Sequence, residues 1–169
     1  GLRCRGGGPG CLDQYQSRPY RFMLTFRAIH LLGRNVIMER SHVEGTWQKD
    51  RSFSPAVITE GAGKTIWLAG HGGFVDDNGR SIAGDFDAQT RQSFANLEAT
   101  LSQAGATLAD MVTMTVFIID ARFGDRFTDI RKEFYPDGHY PGSALITCAG
   151  FAKTEMMVEI QGIAVIGGE

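Results

Sequence analysis

Apolar residues along this chain switch spacing from two to three-and-four and back again, and that alternation predicts its elements. Residues 53–60 (FSPAVITE) read as a strand that Pro55 confines to an edge or to the strand's start. Gly61-Ala62-Gly63 reads as a turn and residues 64–70 (KTIWLAG) as the returning strand, so a hairpin is predicted. His71-Gly72-Gly73 and Phe74-Val75 lead into Asp76-Asp77-Asn78-Gly79, a strong turn, with a short strand expected at Ser81-Ile82. Phe94, Leu97, Leu101 and Ala104 recur at three and four, which predicts a helix over 88–103, capped by Asp85 or Asp87 and closed by Gly105. Residues 110–120 (DMVTMTVFIID) are β-branched and aromatic, as a central strand requires. Phe123, Phe127, Ile130 and Phe134 predict a second helix, stopped by Pro136. Residues 141–166 carry two final apolar strands, while residues 38–52 are polar and expected to hold little regular structure.

Helices alternating with strands indicate an α/β fold, with two helices on one face of a mixed sheet. Val116, Ile118, Val158 and Ile160 read as making both faces apolar, which predicts a homo-oligomer that covers the second face.

Composition changes this picture at one end only. A chain of 169 residues is long enough for one domain, taken as residues 38–169. The net charge of −2 gives no hint of nucleic acid or membrane as a partner, but it is unevenly spread. Residues 1–37 hold six Arg and one acid, a charge of +5, leaving −7 for the rest. Three readings are open for this extension: sequence upstream of a start at Met38, a disordered or loosely docked segment, or an Arg-rich, acid-poor organellar transit peptide. Its apolar part, residues 22–37, is broken by Arg27, His30 and Arg34, which makes a poor transmembrane span or secretory signal. None of the three readings places chemistry there. Cys4 and Cys11 also lie in this segment, and Cys148 alone lies in the body, which fits a reducing cytoplasm.

Most candidate chemistry resolves to ordinary structure. His30, His42, His71 and His139 are scattered without ligand spacing, so no metal is expected. The HGG at 71–73 lacks a phosphate-loop pattern, and no GxSxG is present. Cys148 reads as a small core residue. Arg122, Arg126 and Arg131 on the second helix read as a solvated face rather than a ligand site. Glu159 is different. In MMVEIQGIAVI it stands among apolar residues, with Val158 and Ile160 on the opposite face. It is either an edge-strand acid facing solvent or a carboxylate in a cleft, able to hold a water and act as its general base.

Three stretches carry a family resemblance: WLAGHGG, the long segment AQTRQSFANLEATLSQAGATLADMVTMTVFIID, and the closing VEIQGIAV. From Phe53 onward the chain resembles the Rid family, also called YjgF or endoribonuclease L-PSP-like, whose usual start falls near Met38. The resemblance implies a chorismate-mutase-like fold, with a mixed six-stranded sheet and two helices on one face. It also implies a homotrimer with ligand clefts between subunits. Its best-known members hydrolyse imines and enamines of 2-amino acids without metal or cofactor. In them an Arg in the penultimate strand clamps the substrate carboxylate, and a Glu in the last strand positions the attacking water.

By this resemblance Glu159 takes the place of that Glu, Gly70 that of the pocket-wall glycine, and His71 stands where Gln is usual. The family's P-A-R-S is P-G-S-A here, so Ser143 occupies the clamp position, and no Arg follows Arg131. Leu145 replaces a thiol, Thr128 stands where Asn is common, and Ala56 where a pocket Tyr is expected. A bidentate charge-assisted clamp is among the strongest polar contacts. Without it a carboxylate binds weakly, unless His71, Arg131 or a neighbouring subunit supplies a cation. The expected function is therefore hydrolysis or deamination of a small reactive imine, enamine or amide by a cytoplasmic trimer, with Glu159 as base. Ser143, Gly70 and Leu145 would orient the substrate, and His71 would be an acid or hydrogen-bond partner. The alternative is a non-catalytic trimer that binds or senses a small molecule. Ribonuclease activity is opposed by the −7 charge of the body.

Overall fold

The computed structural model describes residues 38–43 and 51–167, all within one compact unit. The expectations for residues 1–37 lie outside the described residues. The strands are β1 (Glu39–His42), β2 (Val57–Glu60), β3 (Gly63–His71), β4 (Met111–Ile118), β5 (Gly142–Thr147) and β6 (Val158–Gly167). The helices are α1 (Phe86–Gln103) and α2 (Gly124–Glu133). Six strands are thus present, but they divide into a four-stranded mixed sheet, ordered β3-β6-β4-β5, and a separate β1-β2 pair. In the larger sheet β4 and β5 run parallel, and β6 is antiparallel to both β3 and β4.

Several expectations about the strands need correction. Residues 38–52 are expected to hold little regular structure, yet Glu39–His42 pairs along β2, with Arg40 opposite Thr59. Its inward positions are polar. Arg40 donates to the carbonyls of Ala109 and Val165 and toward Asp110, so side-chain hydrogen bonds rather than apolar burial hold the strand. The hairpin of residues 53–60 with 64–70 also does not form, since β3 gives its ladder to β6. Burial decides this. Ile66 and Leu68 of β3 reach the core cluster, whereas three of the four β2 residues are exposed. At Ser81 only an isolated bridge to Val75 appears.

Both helices form close to their expected bounds. α1 starts two residues early, with the Asp85 carboxylate accepting from the Ala88 amide at 2.9 Å, a standard N-cap. Gly105, at φ 77°, follows the last turn, where a left-handed residue lets the chain leave. Phe94, Leu97 and Leu101 of α1 and Phe127 of α2 are fully buried in one cluster with Met114, Val116, Ile118, Val158 and Ile160, and Ile130 of α2 is fully buried too. Burying each such side chain contributes about 1.5–3 kcal/mol. Gln89 is also fully buried. Its amide bridges the carbonyls of Ile82 and Glu155 and accepts from the Met157 amide, so it ties two loops to α1.

Val116, Ile118, Val158 and Ile160 therefore all face the helices, and none of them makes the second face apolar. By alternation that face carries Trp67, Thr113, Thr115, Phe117, Ile146, Glu159, Gln161, Ile163 and Val165. Trp67 there is 77% exposed. No helix among the described residues is long and apolar enough to cross a membrane.

Candidate functional site

The sequence-predicted residues fall into two groups on opposite faces of the sheet. Glu159 lies on the open face of β6, half-buried, paired in register with Phe117. Gly70 sits directly against it, since a Cβ built on Gly70 would come within 2.2 Å of Glu159 Oε1. Among the described residues no hydrogen bond or ion pair reaches the Glu159 carboxylate. Its lone pairs are available to a water or a ligand.

His71 does not join this pair. Leu68 and His71 flank a register shift in β3, beyond which His71 opposes Ile160 and turns toward α1. Nδ1 contacts the Ala69 carbonyl and Nε2 the Thr100 hydroxyl, each at 2.8 Å. With both ring nitrogens engaged, the imidazole secures the end of β3 rather than facing Glu159.

The second group lies at the β5 edge on the helix side. Ser143, Leu145 and Thr128 line an open cleft of about 450 Å³ with Arg51, Phe53, Asp125 and Arg131. The Thr128 hydroxyl donates to the Gly124 carbonyl within α2 and is not free for a ligand. Leu145 is 37% exposed and gives the cleft an apolar wall. Ala56 lies elsewhere, in a shallow groove on the other side of β5 that Ser143 also borders. Its methyl adds no polar group.

Arg131 departs most from expectation. Instead of a solvated face it is 2% exposed, and its Nη1 donates to Ser143 Oγ at 2.8 Å. Burial lowers its pKa to about 10. Arg122 and Arg126 do lie at the surface, paired with Asp120 and Asp87. The sequence held a signal for the difference, because Arg131 follows Phe127 by four residues and so shares its inward face. Ser52 was also missed. It is buried at φ 55°, a left-handed conformation uncommon for serine, and its hydroxyl donates to the Thr128 carbonyl. Nothing in the apolar pattern marks it.

His42 and His139, far apart in sequence, stack with ring centroids 5.1 Å apart at the rim of a small cavity beside Tyr135. Burial, His139 and Arg40 together lower the His42 pKa. No cluster of three or more His, Cys, Asp or Glu among the described residues could hold a metal ion.

The endoribonuclease L-PSP family model matches residues 48–166, from before β2 almost to the end of β6. Among solved structures, the Yersinia pestis protein YyfB of the Rid family is similar at 26% identity and a TM-score of 0.66, over 79% of this chain and 100% of that one. YyfA of the same organism is similar at 26% identity and a TM-score of 0.56, over 76% and 100%. A Mycobacterium tuberculosis member of the YjgF family is similar at 25% identity and a TM-score of 0.52, over 76% and 100%. With most of its described elements inside the matched span, the chain belongs to the endoribonuclease L-PSP family, also called the Rid or YjgF family.

Proposed function

We propose that this protein is a cytoplasmic hydrolase of a small reactive imine, enamine or amide, working without metal or cofactor at a cleft formed where copies of the chain meet in a trimer. The observation that carries this is the Glu159 carboxylate, half-buried beside Gly70 and without a partner among the described residues. In such a place it can accept a proton from water as the water oxygen attacks the C=N carbon. That proton passes to the nitrogen to give a carbinolamine; its hydroxyl then gives up its proton, relayed by the same carboxylate to the nitrogen, as the C–N bond breaks and the C=O forms, and a carbonyl compound and ammonia leave. The split of Glu159 from the Ser143 cleft across the sheet favours a site completed by a second copy. The charge of −7 on residues 38–169 speaks against a phosphate-backbone substrate.

One observation favours the alternative, a ligand-binding trimer without chemistry. The His71 ring is turned into α1 and offers no free acid to a leaving group. A single assay separates the two readings. An imine of pyruvate and a neutral imine are generated in solution, and their decay is followed with wild type and with Glu159→Gln. The hydrolase reading expects acceleration by wild type and a loss of about 10²–10⁴-fold in the variant. It falls if neither imine decays faster with wild type, or if Glu159→Gln matches wild type.

A further inference from the structure

The small cavity rimmed by His42 and His139, of about 180 Å³, is lined by neither Glu159 nor Ser143. Arg40 and His42 reach it from β1, and Tyr135, Asp137 and His139 from the segment that follows α2. Among the described residues two buried side-chain nitrogen or oxygen atoms have no hydrogen-bond partner, Arg40 Nε and Tyr135 Oη. Both belong to residues that line this one cavity. The Nη atoms of Arg40 are spent on the carbonyls of Ala109 and Val165 and on Asp110, which fixes the guanidinium and leaves its Nε proton over. Burial pushes the Tyr135 pKa up, so its hydroxyl keeps its proton and stays a donor. A buried donor without an acceptor is costly, and two on one cavity share a need for the same kind of partner.

The charges point the same way. Arg40, His42 and His139, three groups able to carry positive charge, stand together. The two rings stack with centroids 5.1 Å apart, and neither makes a hydrogen bond or ion pair among the described residues. Burial, His139 and Arg40 all lower the His42 pKa, and no carboxylate of the described residues counters them. Asp110 is engaged with Arg40 Nη2 at 3.4 Å, and Asp137 is exposed. Such a group holds together while the imidazoles are neutral, and an anion among them lets all three be charged. His139 is exposed and His42 half-buried, so the stacked rings mark the side open to solvent. The volume suits a tetrahedral oxyanion with a short substituent and is too small for a nucleotide.

We propose that this cavity binds a small phosphate-type dianion through Arg40 Nε, the Tyr135 hydroxyl and the imidazoles of His42 and His139, and that binding draws protons onto the two histidines. A bound dianion raises the histidine pKa values, so affinity rises as pH falls from about 8 toward about 6. Arg40, Asp110, Asp137 and Tyr135 keep their charge states over that range and do not contribute to the slope. The site shares no residue with the hydrolase reading and does not rest on it.

Calorimetric titration of the full chain with sulfate, inorganic phosphate and glycerol phosphate, at pH about 6 and about 8 and fixed ionic strength, tests it. Sulfate stays a dianion at both, so any change with pH belongs to the protein. It is expected to bind at least about tenfold more tightly at the lower pH, with a heat that varies with the buffer as protons are taken up. His42→Gln and His139→Gln should each weaken binding about tenfold at the lower pH and flatten the pH dependence. Tyr135→Phe should weaken binding about three- to tenfold at both, yet melt no lower than wild type without the anion, which a merely structural role would not do. Glu159→Gln should bind the anion as wild type does. Glycerol phosphate binding as tightly as phosphate makes the occupant a phosphorylated compound, and its exclusion makes it the free ion; either result supports the site. The proposal is overturned if wild type binds none of the three, if affinity does not rise at the lower pH, or if neither histidine variant changes it. If the histidine variants do not fold, Tyr135→Phe that binds as wild type does overturns it equally. Loss of anion binding in Glu159→Gln would put the anion in the other site and also overturn it.

Discussion

A methyl group added at Gly70 would lie 2.2 Å from Glu159 Oε1 and 2.6 Å from its Cδ. Both atoms belong to the end of a flexible side chain, so Gly70→Ala can be accommodated by moving the carboxylate. Stability should change by less than about 1 kcal/mol. Activity should fall about a hundredfold, since a shift of an ångström at a reacting group costs that much. Thermal melting and imine decay on the same sample check both halves, and an active Gly70→Ala would show that the position of Glu159 does not matter. Glu159 could be picked out from sequence because an acid breaks an apolar strand pattern. Arg131 could not be picked out with equal ease, because arginine at a helix surface is ordinary. What distinguishes it is a set of partners at 51, 52 and 143 that only the folded chain brings together.

Between α1 and α2 the contact is partly ionic. Arg126 pairs with Asp87, and Arg91 pairs with Glu133 at 2.7 Å and reaches Asp87 at 3.8 Å. Hydrogen bonds from Arg126 and Arg91 hold the Asp87 and Glu133 carboxyls below their ordinary values of 3.8 and 4.5. A carboxyl whose pKa is lower in the folded than in the unfolded chain stabilises the fold fully above the unfolded value. That contribution is lost as pH falls through the folded value. Melting temperature should therefore hold from neutral pH down to about 5 and decline below about 4, with Asp87→Asn showing a shallower decline. A series of melts against pH checks this, and identical acid slopes would remove the pair from the account. The two helices and their cap were readable in the sequence because periodicity and capping chemistry are local. Strand pairing was not. β1 carries no apolar alternation, and the partner of β3 is chosen by what Ile66 and Leu68 can bury, a fact about residues nearly a hundred positions away.

Taken whole, the described unit has one finished side and one bare one. Both helices cover one face of the four-stranded sheet, while the other carries Trp67, Phe117, Ile146 and Ile163 together with Glu159. The general class of the fold followed from the order of its elements, but the division into four strands and two did not, since β1 lies before the span that the family model matches. The proposed trimer closes over the bare side, and the molecule contains its own optical probe for that event. Its two tryptophans are Trp47, outside the described residues, and Trp67, 77% exposed on the edge strand β3 of that face. In a Trp47→Phe background, fluorescence comes from Trp67 alone. Assembly across the sheet should move its emission to shorter wavelength and protect it from iodide quenching, and dilution to monomer should reverse both. A trimer on sizing whose Trp67 still emits as if in water would have to be built on some other surface.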